Sequence, residues 1–522
     1  MTFPTDLVPV SWTTGLVAIV LALILRALHL TVQRCFFHPL AKIPGPRLAA
    51  ISYLYEFYYD AWLGGKYCFH IEDLHEKYGR VVWHFWVRVS DLGVGPVVRI
   101  NPNEIHIKDS EYYDKFYNIS SKLNKDPFYY GFLDGPDAAF ATDSFLGHRQ
   151  RRKAFNKFFS PAALNALEIQ VQKNITQLVH RMEEFKASGR PLRLGNAFRS
   201  LARDVISQYA LPDGFHLLES PDLGEDLSSV NQMLSHVAIW NRHFRFIFPV
   251  LMATPSWLMH RIASPGMIQL MKFQMYNYEQ SRRIVVGSDK GDDRETVLHG
   301  IHNSDLPESD KTPARLFSEA TTIVGAGSET TGATLETLFY FILTKPDIRS
   351  KLVAELESAK QNGADISSKA TLLGLPYLGA CMKECLRYGN EVSGRLPRYD
   401  PNNVIVWRDH SFPPGTIISM NIADMHMDPN CHPRPHEFDP ERWLDPSTAA
   451  TAERFYAPFG KGSRACIGRD LAQLEVLITT ATLLDKFDLR IFETEYDDVK
   501  PYHDFFSPFQ KEGSKGLQVI VQ

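Results

Sequence analysis

A mainly helical domain preceded by one membrane-spanning helix is the fold class this sequence predicts. Three observations carry it: an uncharged run near the N-terminus, a long apolar stretch closed off by prolines, and a second apolar stretch directly after a glycine-rich loop. The first, Leu7 to Leu25, holds 19 residues without an acid or a base. At ~1.5 Å rise per residue it spans roughly the ~30 Å of a bilayer's hydrocarbon core, which predicts a transmembrane anchor over 7–25. A cleaved signal peptide fits poorly, since Asp6 and no basic residue precede the run and no small-residue cleavage site follows. Arg26, Arg34, Lys42 and Arg47 come after it, so the positive-inside tendency puts residues 1–6 in the lumen and the remainder in the cytosol. The sequons at Asn118 and Asn174 then go unglycosylated. Residues 26–46 read as a basic, proline-rich hinge, stiffened by Lys42-Ile43-Pro44-Gly45-Pro46 because proline lacks an amide donor and holds the chain extended.

The remaining 47–522 is expected to be globular, because a chain of 522 residues at 44% hydrophobic can bury a large core. Length alone suggests about three domains, but the chemical motifs run from His148 to Gly468 and make sense only together, which favours one. A net charge of −4 leaves no basic excess for phosphates, so nucleic acid is excluded as a partner class. Six scattered cysteines argue against a disulfide framework and for a reducing compartment. No internal repeat is present, and Gly287 to Asp293 reads as an exposed loop.

The second observation is a helix whose N-cap and first-turn proline are Thr312 and Pro313 and whose stop is Pro346. About thirty residues fit between, roughly 45 Å, which crosses a domain and must be buried. Inside it sits Ala326-Gly327-Ser328-Glu329-Thr330-Thr331, polar residues in apolar surroundings. Two readings fit: a small-residue packing seam with Thr330 bonded back onto its own helix, or a local distortion with room for water. The third observation is Leu471 to Leu484, apolar enough for a helix starting just past Phe459-Gly460-Lys461-Gly462-Ser463-Arg464-Ala465-Cys466-Ile467-Gly468. Glycines there permit tight turns that bring amide N–H groups to a sulfur, and a helix N-terminus favours negative charge. The fragment therefore suits a thiolate, the alternative being a buried structural cysteine.

Phe459, Gly460, Arg464, Cys466 and Gly468 at these offsets resemble the haem-ligand loop of the cytochrome P450 family. The resemblance implies that fold, mainly α with a smaller β-rich part, and haem b (iron protoporphyrin) with Cys466 as the axial ligand of its iron. A thiolate ligand pushes electron density onto iron and favours O–O cleavage. Glu384 and Arg387, three apart on one helical face, are by themselves an ordinary surface ion pair. The resemblance makes them, with Arg442 of Pro440-Glu441-Arg442-Trp443, a buried support behind the haem. It likewise makes Thr330 the residue that orients water at the oxygen site and Glu329 its link to a proton source.

Haem propionates need cationic partners. The resemblance favours Arg152, Arg398 and Arg464; His148, on the same basic helix as Arg152, stands where many family members carry Trp. The substrate pocket is implied at Ile323, Ala326, Val392 and Leu396, with residues near Asn124 to Phe140. The segments Ser393–Arg398 and Asp409–Thr416 look most like fungal members acting on terpenoids and related secondary metabolites.

One departure stands out. Where family members often run Tyr-Gly straight into Pro-Val-Val-Arg-Ile-Asn-Pro, sixteen residues, Arg80 to Gly95, separate Tyr78-Gly79 from Pro96–Pro102. They are hydrophobic enough to lengthen a strand or form an aggregation-prone hairpin, and the hypothesis is translated intron from a faulty gene model.

The expected reaction is insertion of one oxygen atom of O2 into an apolar small molecule. No flavin or nicotinamide motif is present, so electrons come from a separate NADPH-dependent cytochrome P450 reductase on the same endoplasmic reticulum membrane. Lys461 and Arg469 are candidate docking charges, free solvated side chains being the plainer reading. Two rivals remain: a haem-thiolate isomerase or dehydratase that needs no O2, against which Glu329-Thr330 weighs, and a non-catalytic haem binder. A zinc site at Cys381 and Cys385 lacks a second pair of ligands.

Overall fold

Thr312 opens the helix around which the rest is arranged. Its side chain accepts from the Arg315 amide, Pro313 fills the first turn where no donor is needed, and the helix runs unbroken over Pro313–Thr344. The computed structural model describes residues 12–78, 83–84, 87–88, 96–131, 137–255, 257–258, 261, 265–288 and 294–522. The long helix packs most closely on Leu194–Ala210. Two glycines allow that approach: a Cβ on Gly327 would meet Ile206 at 2.7 Å, and one on Gly332 would meet the Arg199 Cα at 2.8 Å. Phe198 and Phe339 close the seam with ring centroids 5.0 Å apart. Helices Pro161–Ser188, Pro376–Gly389 and Arg469–Lys486 complete this main apolar core. The predicted Leu471–Leu484 helix lies wholly inside the last of these.

Among the described residues the sheet with the most strands has five, in the order Val97–Arg99, Glu104–Ile107, Ile417–Ser419, Arg398–Tyr399, Asn124–Lys125. Only Ile417–Ser419 and Glu104–Ile107 pair in parallel; the other neighbours are antiparallel. The last pairing sets Lys125 opposite Arg398, which matters for the site below.

The N-terminal helix spans Trp12–Val32, and the stretch apolar enough to cross a membrane is Gly15–Phe37, 23 residues with mean hydropathy 2.3 and none of its most apolar window buried. Helix thus continues past the predicted end at Leu25 and through the first third of the predicted 26–46 hinge. Arg26 and His29 are good enough helix residues to stay in register, and a long basic side chain keeps its charge at the lipid–water boundary while its stem lies along the helix. Leu7 to Ser11 of the predicted span lie outside the described residues.

Of the Arg80–Gly95 segment, Trp83–His84 pairs antiparallel with Val87–Arg88, a short hairpin, and the other residues lie outside those described. Gly287 takes a left-handed turn, as a loop requires, while residues 289–293 also lie outside. Cys381 and Cys385 are buried free thiols; Cys385 Sγ donates to the Thr334 carbonyl, and neither belongs to a metal-holding cluster among the described residues.

Candidate active site

The cysteine loop is shaped by backbone approach. Cys466 N–H donates to Phe459 O at 2.8 Å, turning the loop on itself. Gly462 has φ +76°, and a Cβ there would run into the carbonyl oxygens of Tyr117 and Asn118, so no other residue fits. Gly460 shares the left-handed conformation at φ +66°. Gly468 caps the helix Arg469–Lys486, and the Gly468 and Arg469 amides both favour a thiolate at Cys466. Burial pushes the thiol up more strongly than those amides and the charges of Arg152 and Arg469 pull it down. Cys466 nonetheless has accessible surface, because its Sγ opens onto a cavity of about 450 Å³.

Six basic side chains line that cavity: Lys461, which pairs with Asp114, and Lys125, His148, Arg152, Arg398 and Arg464. Arg152 Nη1 donates to Ala465 O at 2.6 Å, beside the sulfur. Arg464 donates to the carbonyls of Thr142 and Asp143 at 2.6 and 2.7 Å, and its buried Nε has no hydrogen-bond partner among the described residues. Arg398 Nη1 donates to the Tyr130 hydroxyl at 2.5 Å. Lys125 Nζ donates to Phe140 O at 2.6 Å and stands over the Phe140 and Tyr130 rings. Among the described residues, none of these four cations has a carboxylate within ion-pair distance. Their crowding shows in the titration. Burial first, then Arg398, Arg464 and Arg152, hold Lys125 well below the usual ammonium range, and burial with Arg464 pushes His148 down to about 3. His148 is therefore a neutral imidazole, not a cation. A ligand bringing two carboxylates supplies the charge that this donor set lacks. A soft sulfur, excess cations and apolar walls fit iron protoporphyrin.

Glu384 is completely buried and accepts from Arg387 Nε and Nη2 (2.9 and 2.8 Å), from Arg442 Nε (3.1 Å), from Trp443 Nε1 (3.0 Å) and from the Asp439 amide (2.9 Å). Arg387 and Arg442 spend their other N–H groups on carbonyls of the turn 426–437, so two guanidiniums stitch that irregular segment to the helix Pro376–Gly389.

On the long helix, Glu329 and Thr330 both line the cavity. Thr330 Oγ1 donates to Ala326 O at 2.8 Å, the back-bonded arrangement, and no distortion interrupts the helix there. Of the two readings, local distortion or a back-bonded seam, the hydrogen bond is that of the second, and the helix runs uninterrupted where it packs against Leu194–Ala210. Glu329 accepts from Arg199 Nε at 2.5 Å, and Arg199 Nη1 donates to Glu336 at 2.6 Å. Ile323, Ala326, Val392 and Leu396 all line the cavity, as do Tyr130 and Phe140 from the Asn124–Phe140 region. Sequence reading did not single out Lys125, Arg199, Glu391 or the hairpin strands His503–Phe505 and Ser507–Phe509, which bring Phe505, Phe506 and Phe509 to the wall. Lys461 and Arg469 pair with Asp114 and Asp470, so both are engaged charges and not free ones.

Glu391 sits in the wall with its carboxyl pushed up to about 8, by burial and by Glu329 and Glu336, against the pull of Arg199. The folded value lies above the ordinary 4.5, so the native state holds its proton more tightly than the unfolded chain does. The resulting stability is whole below 4.5 and is lost as pH rises towards 8. Glu391→Gln should flatten thermal unfolding temperature against pH across that window; a curve of unchanged slope rules this origin out.

A cysteine sulfur opening onto an apolar cavity with a surplus of cations defines the site of a haem-thiolate protein. The sequence profile of the cytochrome P450 family matches residues 57–508, and the chain belongs to that family. It is 33% identical over 95% of its length to 96% of the cytochrome P450 monooxygenase sdnE of Sordaria araneosa. It is 34% identical over 97% of its length to 96% of the tryptophan 6-hydroxylase fscE of Fusarium equiseti. The retinoic acid bound cyanobacterial CYP120A1 shares the fold, with TM-score 0.63 and 21% identity over 82% of this chain and 92% of that one. This protein is a cytochrome P450 monooxygenase, an oxidoreductase with a haem-thiolate centre.

Proposed function

We propose that the chain inserts one oxygen atom of O2 into an apolar small molecule of fungal secondary metabolism. It is anchored in the endoplasmic reticulum membrane by its N-terminal helix and takes electrons from a separate NADPH-dependent reductase. The observation that carries this is the single cavity joining Cys466, the surplus cations, Thr330 and an apolar wall. Bound there, haem supplies oxygen activation, with Cys466 as the electron-donating ligand. Arg152, Arg398, Arg464 and Lys125 hold its propionates, and neutral His148 packs among them without adding charge. Thr330 gives its own proton to Ala326 O, which leaves the Oγ1 lone pairs facing the cavity to hold a water by accepting from it. Glu329, which accepts from Arg199, is the neighbouring acceptor on the cavity wall.

Two substrate classes fit. A terpenoid, meroterpenoid or polyketide skeleton suits the aliphatic side of the wall, Ile206, Leu234, Ile323, Val392 and Leu396. An indole suits Phe140, Phe505, Phe506 and Phe509, and the Fusarium relative is named for tryptophan. Spectral titration of the ferric protein with both panels, followed by turnover with a reductase and NADPH, decides between them. In the same assay Thr330→Val should lower product formed per NADPH by about 100-fold, the lower end of what a group positioned for proton transfer contributes, because the water it holds is lost, and Thr330→Ser should restore most of it. Undiminished yield in Thr330→Val removes the hydroxyl from the mechanism. Substrate conversion without NADPH or O2 establishes the isomerase reading instead.

A further inference from the structure

Three separate segments wall the outer part of the cavity: Leu234, Ser235 and Ala238 of the helix Glu225–His243, Val392 and Leu396 of the loop after Pro376–Gly389, and the Phe505–Phe509 hairpin. All three are tied to one short stretch, Glu56 to Gly65, which does not itself line the cavity. Arg242, at the end of the first wall, pairs with Asp60 and lies 3.9 Å from Glu56. Arg395, in the second, donates to Glu56 Oε1 at 2.5 Å and to Glu104 at 2.7 Å. Ser393 of the same loop donates to Asp504 of the third wall at 2.7 Å, and the Asp504 amide donates to Gly65 O at 2.8 Å. A Cβ on Gly65 would strike the Asp504 backbone, so that joint requires glycine. Ala61 packs with Ala238, Ile239 and Phe505, drawing the first and third walls onto one small residue. The Tyr129 ring lies between the two guanidiniums, 4.4 Å from Arg242 and 4.7 Å from Arg395.

Glu56, Asp60, Arg242 and Arg395 are all at most 2% exposed. Glu56, Asp60 and His243 also come close enough to hold a cation, but Arg242 already pairs with Asp60 and Arg395 with Glu56 and Glu104, so the cluster is an ion-pair hub. Buried pairs of this kind resist small displacements, since moving one partner leaves the other charged and dry.

We propose that the Glu56–Asp60 carboxylates are positioning residues that fix the spacing of the cavity walls and so set the bulk of substrate admitted, without touching it. This rests on reading the cavity as the substrate site. The test is spectral titration of the haem-loaded ferric protein with two nitrogen ligands, imidazole and 1-tritylimidazole. Imidazole reports the iron site alone; the trityl group must also fit between the walls. In Asp60→Asn the ratio of the two dissociation constants should change by about tenfold, less than the hundredfold that a 1 Å misplacement produces elsewhere. The imidazole constant should stay within about twofold, reporting an intact iron site. The charge exchange Asp60→Arg with Arg242→Asp should bring the ratio back towards the original, a recovery that loss of general stability does not give. Where Asp60→Asn does not load haem, the charge-keeping Arg242→Lys reads the same ratio. An unchanged ratio in a haem-loaded variant overturns the proposal, and so does failure of both variants to load haem, which makes the hub a folding requirement only. If neither azole shifts the spectrum of the unsubstituted protein, the haem-site reading itself has failed and the hub is not at issue.

Discussion

Cys466→Ala is expected to abolish the long-wavelength Soret band of the reduced carbon monoxide complex, the largest spectroscopic effect of any single change in this chain. Cys466 carries the only thiol lining the cavity among the described residues, so no neighbouring cysteine replaces it. Far-ultraviolet circular dichroism should change little, because the loop is held by Phe459 O, by glycine conformations and by the helix after Gly468, none of which uses the sulfur. Difference spectra of membranes carrying the two proteins make the measurement; a band that persists in the alanine variant removes Cys466 from the iron. A chain lacking Arg80 to Gly95 belongs beside them. If the full-length protein gives no band and the shortened one does, the fault lies in that segment.

The largest stability effect should come from Glu384→Gln. The amide keeps the shape of the carboxyl and one acceptor, but leaves Arg387 and Arg442 buried without a counter-charge. Removing one partner from a buried ion network costs about 3–5 kcal/mol. That is a large share of the roughly 5–15 kcal/mol by which a folded protein survives. Haem loss should accompany the destabilisation, since the stitched turn 426–437 sits beneath the segment leading to the cysteine loop. Urea unfolding of the haem-loaded protein, with Arg442→Gln and the double variant completing a cycle, measures it. A change below ~1 kcal/mol would mean that carbonyl partners alone hold the guanidiniums in place.

What could be seen in the chain beforehand was local. Thr312-Pro313 and Pro346 bound the long helix because a cap and a helix-breaking ring act within one turn, and both ends fell where those residues stand. The cysteine loop was visible because close backbone approach demands glycine at fixed offsets. Lys125 fell within the Asn124–Phe140 stretch expected at the pocket, but its place among the cations was not visible, since that comes from a two-residue strand paired with Arg398. Arg398 in turn meets Tyr130 across 268 residues, and Arg199 meets Glu329 across 130. Pairings of that range depend on tertiary packing, which leaves no periodicity in either partner's own segment. The helix runs on past Leu25 and through Arg26, because charge ends a membrane span more reliably than it ends a helix.

The surplus of cations around the cavity also bears on how the protein is made. Arg152, Arg398 and Arg464 gathered without counter-ions repel one another and push the Lys125 ammonium to give up its proton, and a dianionic ligand that binds only the folded chain relieves that repulsion. Such a ligand at a hundredfold over its dissociation constant adds about 2.7 kcal/mol to stability by mass action alone. Cofactor synthesis and chain maturation are therefore thermodynamically linked. The folded chain therefore resists unfolding and proteolysis better where haem is abundant than where it is scarce.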